Sequence, residues 1–252
     1  MTENVLDQNF WNSRWENGET GWDIGAASSA ISEYFKHIEN KEIRILIPGC
    51  GNAHEAELLL EEGFKNITLL DIAPKACKLI SQKFSHHEVE VICGDFFEHK
   101  GEYDVIVEQT FFCALNVNLR SKYVNKMHDL LSENGKIIGV LFNKDFENPF
   151  PPFGGDTEEY RTLFQDKFEI KTLENCYNSI KPRENTEVFI NFKKKYSQIL
   201  THILIITTSC HRGTIIMYYR DICAVSVVFN QCLSLLILNK DYLSLFLFVS
   251  IK

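Results

Sequence analysis

The segment at residues 43–71 constrains the fold of this chain more than any other. An apolar run leads into the turn Gly49-Cys50-Gly51, a helix-forming stretch follows, and a second apolar run ends on Asp71. Glycines after a buried strand let the backbone turn sharply and approach a ligand, and the helix behind them presents free N–H groups. An acid that ends the next parallel strand lies beside this loop, where its carboxylate can accept both hydroxyls of a ribose. The spacing predicts the first half of a nucleotide-binding α/β unit.

The glycine turn also bears on which cofactor is bound. A diphosphate-binding loop has the pattern G-x-G-x-x-G, but here the third glycine is replaced by His54, and Glu55 adds negative charge beside it. A cofactor with ribose and adenine but no phosphate suits this loop better, and S-adenosylmethionine is the common one. A strand-to-helix turn that merely needs glycine is the simpler alternative. A nicotinamide-dependent oxidoreductase is disfavoured because the third glycine is missing.

Alternating strand-like and helix-like segments predict an α/β fold. Strands are predicted at residues 43–47, 67–71, 89–93, 103–108, 136–142, 168–173 and 187–192. Helices are predicted at 29–38, 53–62, 74–84, 119–131 and 158–164, after a first helical region that carries Phe10, Trp11 and Trp15. Strands separated by helices form a mostly parallel sheet, here of seven strands, with helices on both faces.

Two further strand ends carry candidate site residues. Asp95 and Phe96 follow the third strand, so they lie on the same sheet edge as Gly49 and Asp71. Asp95 can accept from an adenine amino group with Phe96 against the ring, although a turn aspartate followed by core phenylalanines is equally consistent. Gln109 directly follows the fourth strand, where the crevice between the two halves of the sheet opens, and it is hard to explain as packing.

All three tryptophans of the chain fall within a short N-terminal stretch. Trp11 and Trp15 are four residues apart, on one face of a helix, and Trp22 follows a turn-like sequence. An aromatic stripe of this kind is more often a helix packing onto the core. A sulfonium cofactor favours a different interpretation, because aromatic faces attract cations and a lid of indole rings excludes water.

These motifs together resemble the thiopurine S-methyltransferase superfamily, and within it most closely the halide/thiol methyltransferases. The resemblance covers residues 10–194 in consistent order. It is carried by FWNSRWENGETGWDIG, LIPGCGNAHE, LLDIA, GDFF, EQTFFCAL, MHDLLSENGKIIGVLF and PFPPFGGDTEEY. It implies a class I (Rossmann-like) methyltransferase fold that uses S-adenosylmethionine, with a seven-stranded sheet whose last strand is antiparallel.

The resemblance also implies roles for individual residues. Trp11, Trp15 and Trp22 would cover the cofactor. Gly49 and Gly51 of the PGCG turn would approach its methionine part, and Asp71 would hold the ribose. Asp95 and Phe96 would frame the adenine. Gln109 would close the site, although related enzymes often carry an aromatic residue there.

The sequence leaves the methyl acceptor open but indicates its class. It shows no motif for a catalytic base, and a soft sulfur nucleophile needs none at neutral pH. We therefore expect a small thiol, hydrosulfide or thiopurine-like acceptor, with halide or thiocyanate as the alternative. The stiff, apolar loop at 148–155 and the segment at 177–182 could line the acceptor pocket. A non-catalytic binding protein on the same fold is a third class of function.

Composition limits the partners of the chain. The net charge is −8, from 26 Lys+Arg against 34 Asp+Glu, which argues against an electrostatic grip on nucleic acid. The eight cysteines include no C-x-x-C pair, so reduced thiols in a cytoplasmic protein are the simplest interpretation. A secretory signal has a basic region followed by an apolar run, and the N-terminus shows no such pattern. We expect a cytoplasmic monomer that acts on a small molecule.

Residues 196–252 differ from the rest of the chain. They contain only six charged residues, and the resemblance does not extend over them. The apolar stretch at 222–238 is slightly short for a membrane span. A membrane or partner-binding appendage, an extra strand-rich layer, and residues from a mis-assigned reading frame are three interpretations, of which the missing charge and turn signals favour the third. We predict a methyltransferase domain at 1–195 and an apolar tail at 196–252.

Overall fold

The chain divides into two compact units, Met1–Tyr196 and Ser197–Lys252. The computed structural model describes residues 6–195 and, beyond them, the strands Thr214–Tyr219, Ile222–Val228, Leu236–Ile237 and Phe246–Leu247. In the second unit these strands form two antiparallel pairs, the first with the second and the third with the fourth. The other residues of the predicted tail lie outside the described residues. No helix within the described ranges is long and apolar enough to cross a membrane.

The first unit is built on one seven-stranded sheet. Its strands are β1 (Arg44–Pro48), β2 (Asn66–Asp71), β3 (Val89–Cys93), β4 (Tyr103–Gln109), β5 (Leu131–Phe142), β6 (Phe168–Asn175) and β7 (Glu187–Lys194). They lie in the order β3-β2-β1-β4-β5-β7-β6, and β7 runs antiparallel to both of its neighbours. The predicted fold class, a mostly parallel α/β sheet with its last strand antiparallel, is confirmed.

Six α-helices accompany this sheet. They are α1 (Gln8–Glu16), α2 (Ser29–Lys36), α3 (His54–Glu61), α4 (Pro74–Lys83), α5 (Arg120–Leu130) and α6 (Thr157–Phe164). The largest error in the sequence prediction is the start of β5, which was expected at 136 but begins at Leu131. The segment Ser132-Glu133-Asn134-Gly135 has turn-like composition, yet it continues β5 as a strand whose register to β4 is interrupted. An irregularity of this kind disrupts the ladder locally without ending the strand.

Two apolar clusters cover the two faces of the sheet, as the fold requires. Along β1, Ile45 and Ile47 point into one cluster, with helices α2, α3 and α4, whereas Leu46 points into the other, with α5 and α6. All three side chains are at most 2% exposed. Because both faces of β1 are covered, its sequence is continuously apolar rather than alternating.

The parallel arrangement of β1 to β4 brings their carboxyl ends to one edge. The backbone N–H of Cys50, after β1, donates to the Leu70 carbonyl (3.2 Å), and that of Gly94, after β3, donates to the Asp71 carbonyl (2.9 Å). Ligands of open α/β sheets bind at this edge. Asp71 and Gln109 are therefore the last residues of strands that end together, and the glycine turn and Asp95 come just after the ends of such strands.

A buried carboxyl group fixes the loop after β4. Glu108 is 1% exposed, and its Oε1 accepts from the backbone N–H of Phe111 and of Phe112, both at 2.9 Å. Its Oε2 accepts from the hydroxyl of Tyr123 on α5. Burial raises the pKa of Glu108 to about 7, although the three donors favour the ionised form. Glu108 thus ties the loop after β4, named the crevice loop below, to the core.

The substitution Glu108→Gln is expected to make the stability of the protein less dependent on pH. The folded state raises the pKa from 4.5 to about 7, so the associated stability is complete below about pH 4.5 and is lost as pH rises through about 7. Glutamine keeps an acceptor for the loop but does not titrate. Urea unfolding should show wild type losing up to about 3 kcal/mol relative to the variant between about pH 5 and about pH 8.

The exposed Glu133→Gln serves as the control, because the same charge is removed outside the core. If the difference between wild type and Glu108→Gln does not change with pH, Glu108 does not titrate in this range.

Candidate active site

The turn between β1 and α3 is built from residues with left-handed backbone conformation. Gly49 has φ +59°, Gly51 has φ +52° and Ala53, which caps α3, has φ +52°. A Cβ on Gly49 would lie 2.4 Å from Cδ2 of Phe111, so glycine is required both for the conformation and for the close approach of this ring. The backbone of the turn is consequently accessible to a ligand at the sheet edge.

Asp71 joins this turn to the end of β2. Its Oδ2 accepts from the N–H of Gly51 at 3.0 Å and its Oδ1 accepts from the N–H of Ala73 at 2.9 Å. Burial raises the pKa of Asp71, and the backbone donors act in the opposite direction by favouring the ionised form. A carboxylate has about four lone-pair sites, so both oxygens can still accept further hydrogen bonds. The structure thus brings together Gly51 and Asp71, as the sequence predicted.

The three tryptophans form one cluster beside the glycine turn. Trp22 makes edge-to-face contacts with Trp11, at a centroid distance of 5.6 Å, and with Trp15, at 6.1 Å. A Cβ built on Gly51 would lie 3.6 Å from Cζ2 of Trp15 and 3.9 Å from Nε1 of Trp22. Helix α1 has no buried residue. The tryptophans therefore do not pack into the core; they cover the turn.

Helix α1 is attached to the beginning of α4. The side-chain amide of Gln8 donates to the Ile72 carbonyl at 3.2 Å, and Oδ1 of Asn12 accepts from the N–H of Lys75 at 2.8 Å. Helix α4 has no side-chain cap of its own, so Asn12 satisfies one of its free N–H groups from a distant part of the chain. These bonds hold the tryptophan cluster, which we call the aromatic cover, next to Asp71.

A second attachment is centred on Asp23, which the sequence analysis did not identify. Its Oδ1 lies 2.9 Å from Nε2 of His54, and its Oδ2 accepts from the side-chain amide of Asn52. Partial burial would raise the pKa of Asp23, but hydrogen bonds from Gly25, Asn52 and His54 lower it overall. The cover is therefore bound directly to the glycine turn. An acid next to Trp22 and a histidine in place of the third glycine were the available sequence signals.

Two further contacts hold the segment that leads from Trp22 to α2. A guanidinium nitrogen of Arg183, in the connection between β6 and β7, donates to the Trp22 carbonyl at 2.9 Å. The buried carboxylate of Glu55 accepts from the N–H of Ser28 at 3.1 Å. Arg183 is 161 residues from Trp22 in the chain. No local pattern in the sequence indicates a contact over this separation.

The remaining predicted residues occupy the same edge but make local contacts. The exposed Asp95 accepts from the N–H of Phe97 at 2.8 Å. Phe96 is 5% exposed, and its ring centroid lies 5.0 Å from that of Phe111. Phe96 therefore supports the Phe111 ring, which contacts Gly49. Gln109 accepts from the Thr110 hydroxyl at 2.7 Å.

Thr110 has φ +56°, an unfavourable conformation for a β-branched residue. The bonds from Glu108 to the next two backbone N–H groups hold this turn in place. Of the two phenylalanines that follow, Phe112 is 1% exposed and belongs to the core, whereas Phe111 is partly buried and lies on Gly49.

The loop after β5 lies beside the crevice loop. The N–H of Phe153 donates to the Cys113 carbonyl at 2.8 Å, and the buried Arg120 donates to the Gly154 carbonyl. A groove of about 560 Å³ opens here, lined by Val117, residues 143–148, residues 152–156 and Glu159. The predicted role of this loop as an acceptor wall remains a prediction. Within residues 6–195 no cluster of His, Cys, Asp or Glu could hold a metal ion.

The fold and the glycine turn with its carboxylate define a class I methyltransferase. Similar solved structures include a didemethyltoxoflavin N1-methyltransferase from Burkholderia thailandensis with bound S-adenosylhomocysteine, at TM-score 0.61 and 16% identity over 75% of this chain and 87% of that one. Magnesium protoporphyrin IX methyltransferase from Synechocystis, also with S-adenosylhomocysteine, has TM-score 0.60 and 13% identity over 75% and 98%. At these identities the likeness establishes the fold.

The chain belongs to the thiopurine S-methyltransferase family, whose model matches residues 6–201. Similar proteins include a probable thiol methyltransferase 2 from Arabidopsis thaliana, 28% identical over 77% of this chain and 88% of the relative. A thiopurine S-methyltransferase from Vibrio parahaemolyticus is 25% identical over 64% and 82%, and thiocyanate methyltransferase 1 from Brassica oleracea is 24% identical over 75% and 87%. The predicted family is confirmed.

The substitution His54→Ala is expected to loosen the aromatic cover. It removes the bond to Asp23, which should lower the free energy of unfolding by about 0.5–1.5 kcal/mol. All three tryptophans of the chain lie in the cover, so intrinsic tryptophan fluorescence reports on it alone. We expect a red shift of the emission and stronger quenching by acrylamide. His37→Ala, whose side chain is 76% exposed, is the matched control. Identical quenching of both variants would show that His54 does not hold the cover.

Proposed function

We propose that this chain transfers the methyl group of S-adenosylmethionine to a small sulfur nucleophile. The observation that supports this most directly is the meeting of Asp71, Gly51 and the tryptophan cluster at the carboxyl edge of the sheet. Membership of the thiopurine S-methyltransferase family supports the same reaction. The thiol, thiopurine and thiocyanate methyltransferases among the relatives support a sulfur acceptor.

The residues present fit S-adenosylmethionine better than a dinucleotide. The carboxylate of Asp71 has acceptor capacity for ribose hydroxyls, and the glycine turn lets the methionine part approach the backbone. The indole rings of Trp15 and Trp22 suit a sulfonium cation. In the first turn of α3, by contrast, Glu55 is buried and His54 is already bound to Asp23, so neither accommodates a diphosphate.

The chain's own contribution to the reaction is alignment and exclusion of water. When bound, S-adenosylmethionine supplies a methyl carbon that is activated by its positively charged sulfur. The tryptophan cover shields the turn from solvent, which strengthens electrostatic interactions beneath it. Phe111, packed on Gly49 and supported by Phe96, gives the crevice loop a fixed position from which the acceptor can be oriented.

The acceptor must become nucleophilic without a base from the protein. Among the histidines of residues 6–195, His54 is bound to Asp23, His99 to the Tyr103 hydroxyl and His128 to the Lys195 carbonyl, whereas His37, His86 and His87 are exposed on the surface. The Glu108 carboxyl has a pKa of about 7, suitable for a base, but it is buried and accepts from Phe111, Phe112 and Tyr123. A thiol or hydrosulfide ionises near neutral pH without such help. Halide or thiocyanate, already anionic, is the alternative acceptor.

An acceptor screen tests the reaction. The full chain is incubated with S-adenosylmethionine and, separately, a small thiol, hydrosulfide, a thiopurine, iodide or thiocyanate, and formation of S-adenosylhomocysteine is measured. We expect turnover with at least one sulfur acceptor, with a rate that rises with pH as the thiol ionises. Turnover of iodide or thiocyanate alone would favour the alternative. Absence of turnover with every acceptor would contradict the proposal.

The substitution Asp71→Asn tests the cofactor site independently of the acceptor. Loss of charge-assisted hydrogen bonds should weaken S-adenosylmethionine binding by about 1–3 kcal/mol, measured by titration calorimetry. Asp129→Asn removes a carboxylate that is 72% exposed on α5 and should leave binding unchanged. Unchanged affinity in Asp71→Asn would remove Asp71 from the site. Binding of a nicotinamide dinucleotide in place of S-adenosylmethionine would favour the oxidoreductase.

We also propose that the catalytic unit comprises residues 1–195 and works in the cytoplasm as a monomer. The five cysteines within residues 6–195 are free thiols, which suits a reducing compartment. A chain that ends at Lys195 should unfold cooperatively and bind S-adenosylmethionine with the affinity of the full chain. Loss of folding on this truncation would show that the tail at 196–252 is part of the unit.

A further inference from the structure

Two cysteines, Cys77 and Cys93, lie at the backbone of Asp71. Cys93, the last residue of β3, is paired with Asp71 of β2 in the parallel register. Cys77, in the first half of α4, donates its thiol hydrogen to the Asp71 carbonyl oxygen at 3.3 Å. The same oxygen accepts from the N–H of Gly94, directly after Cys93, at 2.9 Å. Both thiols therefore converge on one peptide unit.

The two cysteines meet at the Asp71 peptide unit and differ in exposure. Burial raises the pKa of the Cys77 thiol, and the nearby Cys93 thiol raises it further. Cys77 is 6% exposed, whereas Cys93 is exposed. A soluble oxidant thus reaches Cys93 first and leaves Cys77 as the partner within reach. An exposed thiol beside a second one is the arrangement of redox-sensitive cysteines, and disulfides of cytosolic proteins are mostly transient ones of this kind.

We propose that Cys77 and Cys93 are a reversible oxidation site whose disulfide weakens binding of the cofactor at Asp71. Hydrogen peroxide is the oxidant. Its reaction with the Cys93 thiol gives a sulfenic acid and one water. The Cys77 sulfur then attacks the Cys93 sulfur, forming the S–S bond and releasing the second water. Two thiols are oxidised by two electrons and one peroxide is reduced, and a dithiol reverses the change by exchange.

The disulfide acts on Asp71 through the backbone. It removes the thiol donor from the Asp71 carbonyl and adds a covalent bond between the first half of α4 and the end of β3. Asp71 lies between these elements, and its carboxylate is positioned by the N–H groups of Gly51 and Ala73. Gly94 and Asp95, directly after Cys93, lie on the proposed adenine side. This effect on binding rests on the proposed function, whereas formation of the disulfide does not.

The experiment uses the full chain, reduced and then treated with graded hydrogen peroxide. Peptide mapping under non-reducing conditions identifies the cross-linked cysteines, which is necessary because the chain has eight. Calorimetry measures S-adenosylmethionine affinity before oxidation, after it, and after dithiothreitol. We expect a Cys77–Cys93 cross-link and an affinity lower by roughly fivefold to tenfold, the size of one lost hydrogen bond, with recovery on reduction.

Two variants separate this pair from general oxidation. Cys93→Ser should bind S-adenosylmethionine like the reduced wild type and keep that affinity in peroxide. Cys176→Ser, which alters a buried cysteine after β6, should remain as sensitive as wild type. Peroxide treatment without a Cys77–Cys93 cross-link, or a cross-link that leaves affinity unchanged, would overturn the proposal.

A reciprocal measurement, the effect of S-adenosylmethionine on the reactivity of Cys93, separates the oxidation site from the proposed function. Bound S-adenosylmethionine should slow alkylation of Cys93 by iodoacetamide, because it restrains the end of β3. If the reduced protein does not bind S-adenosylmethionine, the proposed function fails, and the peptide map still decides whether the cysteines form the pair. If it binds and Cys93 reacts at the same rate with and without it, the coupling to Asp71 is wrong.

Discussion

The hydrogen bond from the Gly51 N–H to the Asp71 carboxylate is the interaction on which the site depends. It joins the turn after β1 to the end of β2 over 20 residues of sequence. Burial disfavours the charge on Asp71, so the carboxylate is tolerated there only because backbone N–H groups donate to it. The same group therefore fixes the turn geometry and presents acceptor oxygens at the sheet edge.

The N-terminal segment completes this edge from outside the sheet. It contributes no buried residue from α1, and its tryptophans contact one another and the glycine turn. Its position is instead fixed by polar contacts from Gln8, Asn12 and Asp23, each to a loop or helix start at the sheet edge. Segments held by a few polar bonds open at lower free energy than the core. A cover of this construction suits the proposed cofactor site, which has to admit a ligand and then exclude water.

On the other side of the crevice, the buried carboxyl group holds a loop in place. Glu108 is buried, accepts three hydrogen bonds, and holds Phe111 against Gly49 through the backbone. Its near-neutral pKa is a consequence of burial and does not by itself make it a catalyst. With this carboxyl committed to the loop, the proposed reaction takes an acceptor that is nucleophilic without a protein base.

The sequence by itself determined the sheet, the glycine turn and the acid at the end of β2, because apolar periodicity and glycine placement act over a few neighbouring residues. It misjudged the start of β5, where a turn-like sequence continues the strand. Only the tertiary structure decided that His54 binds Asp23, that Arg183 reaches Trp22, and that Phe96 stands behind Phe111. These contacts join loops far apart in the chain, and they depend on where the sheet edge brings those loops rather than on any local pattern.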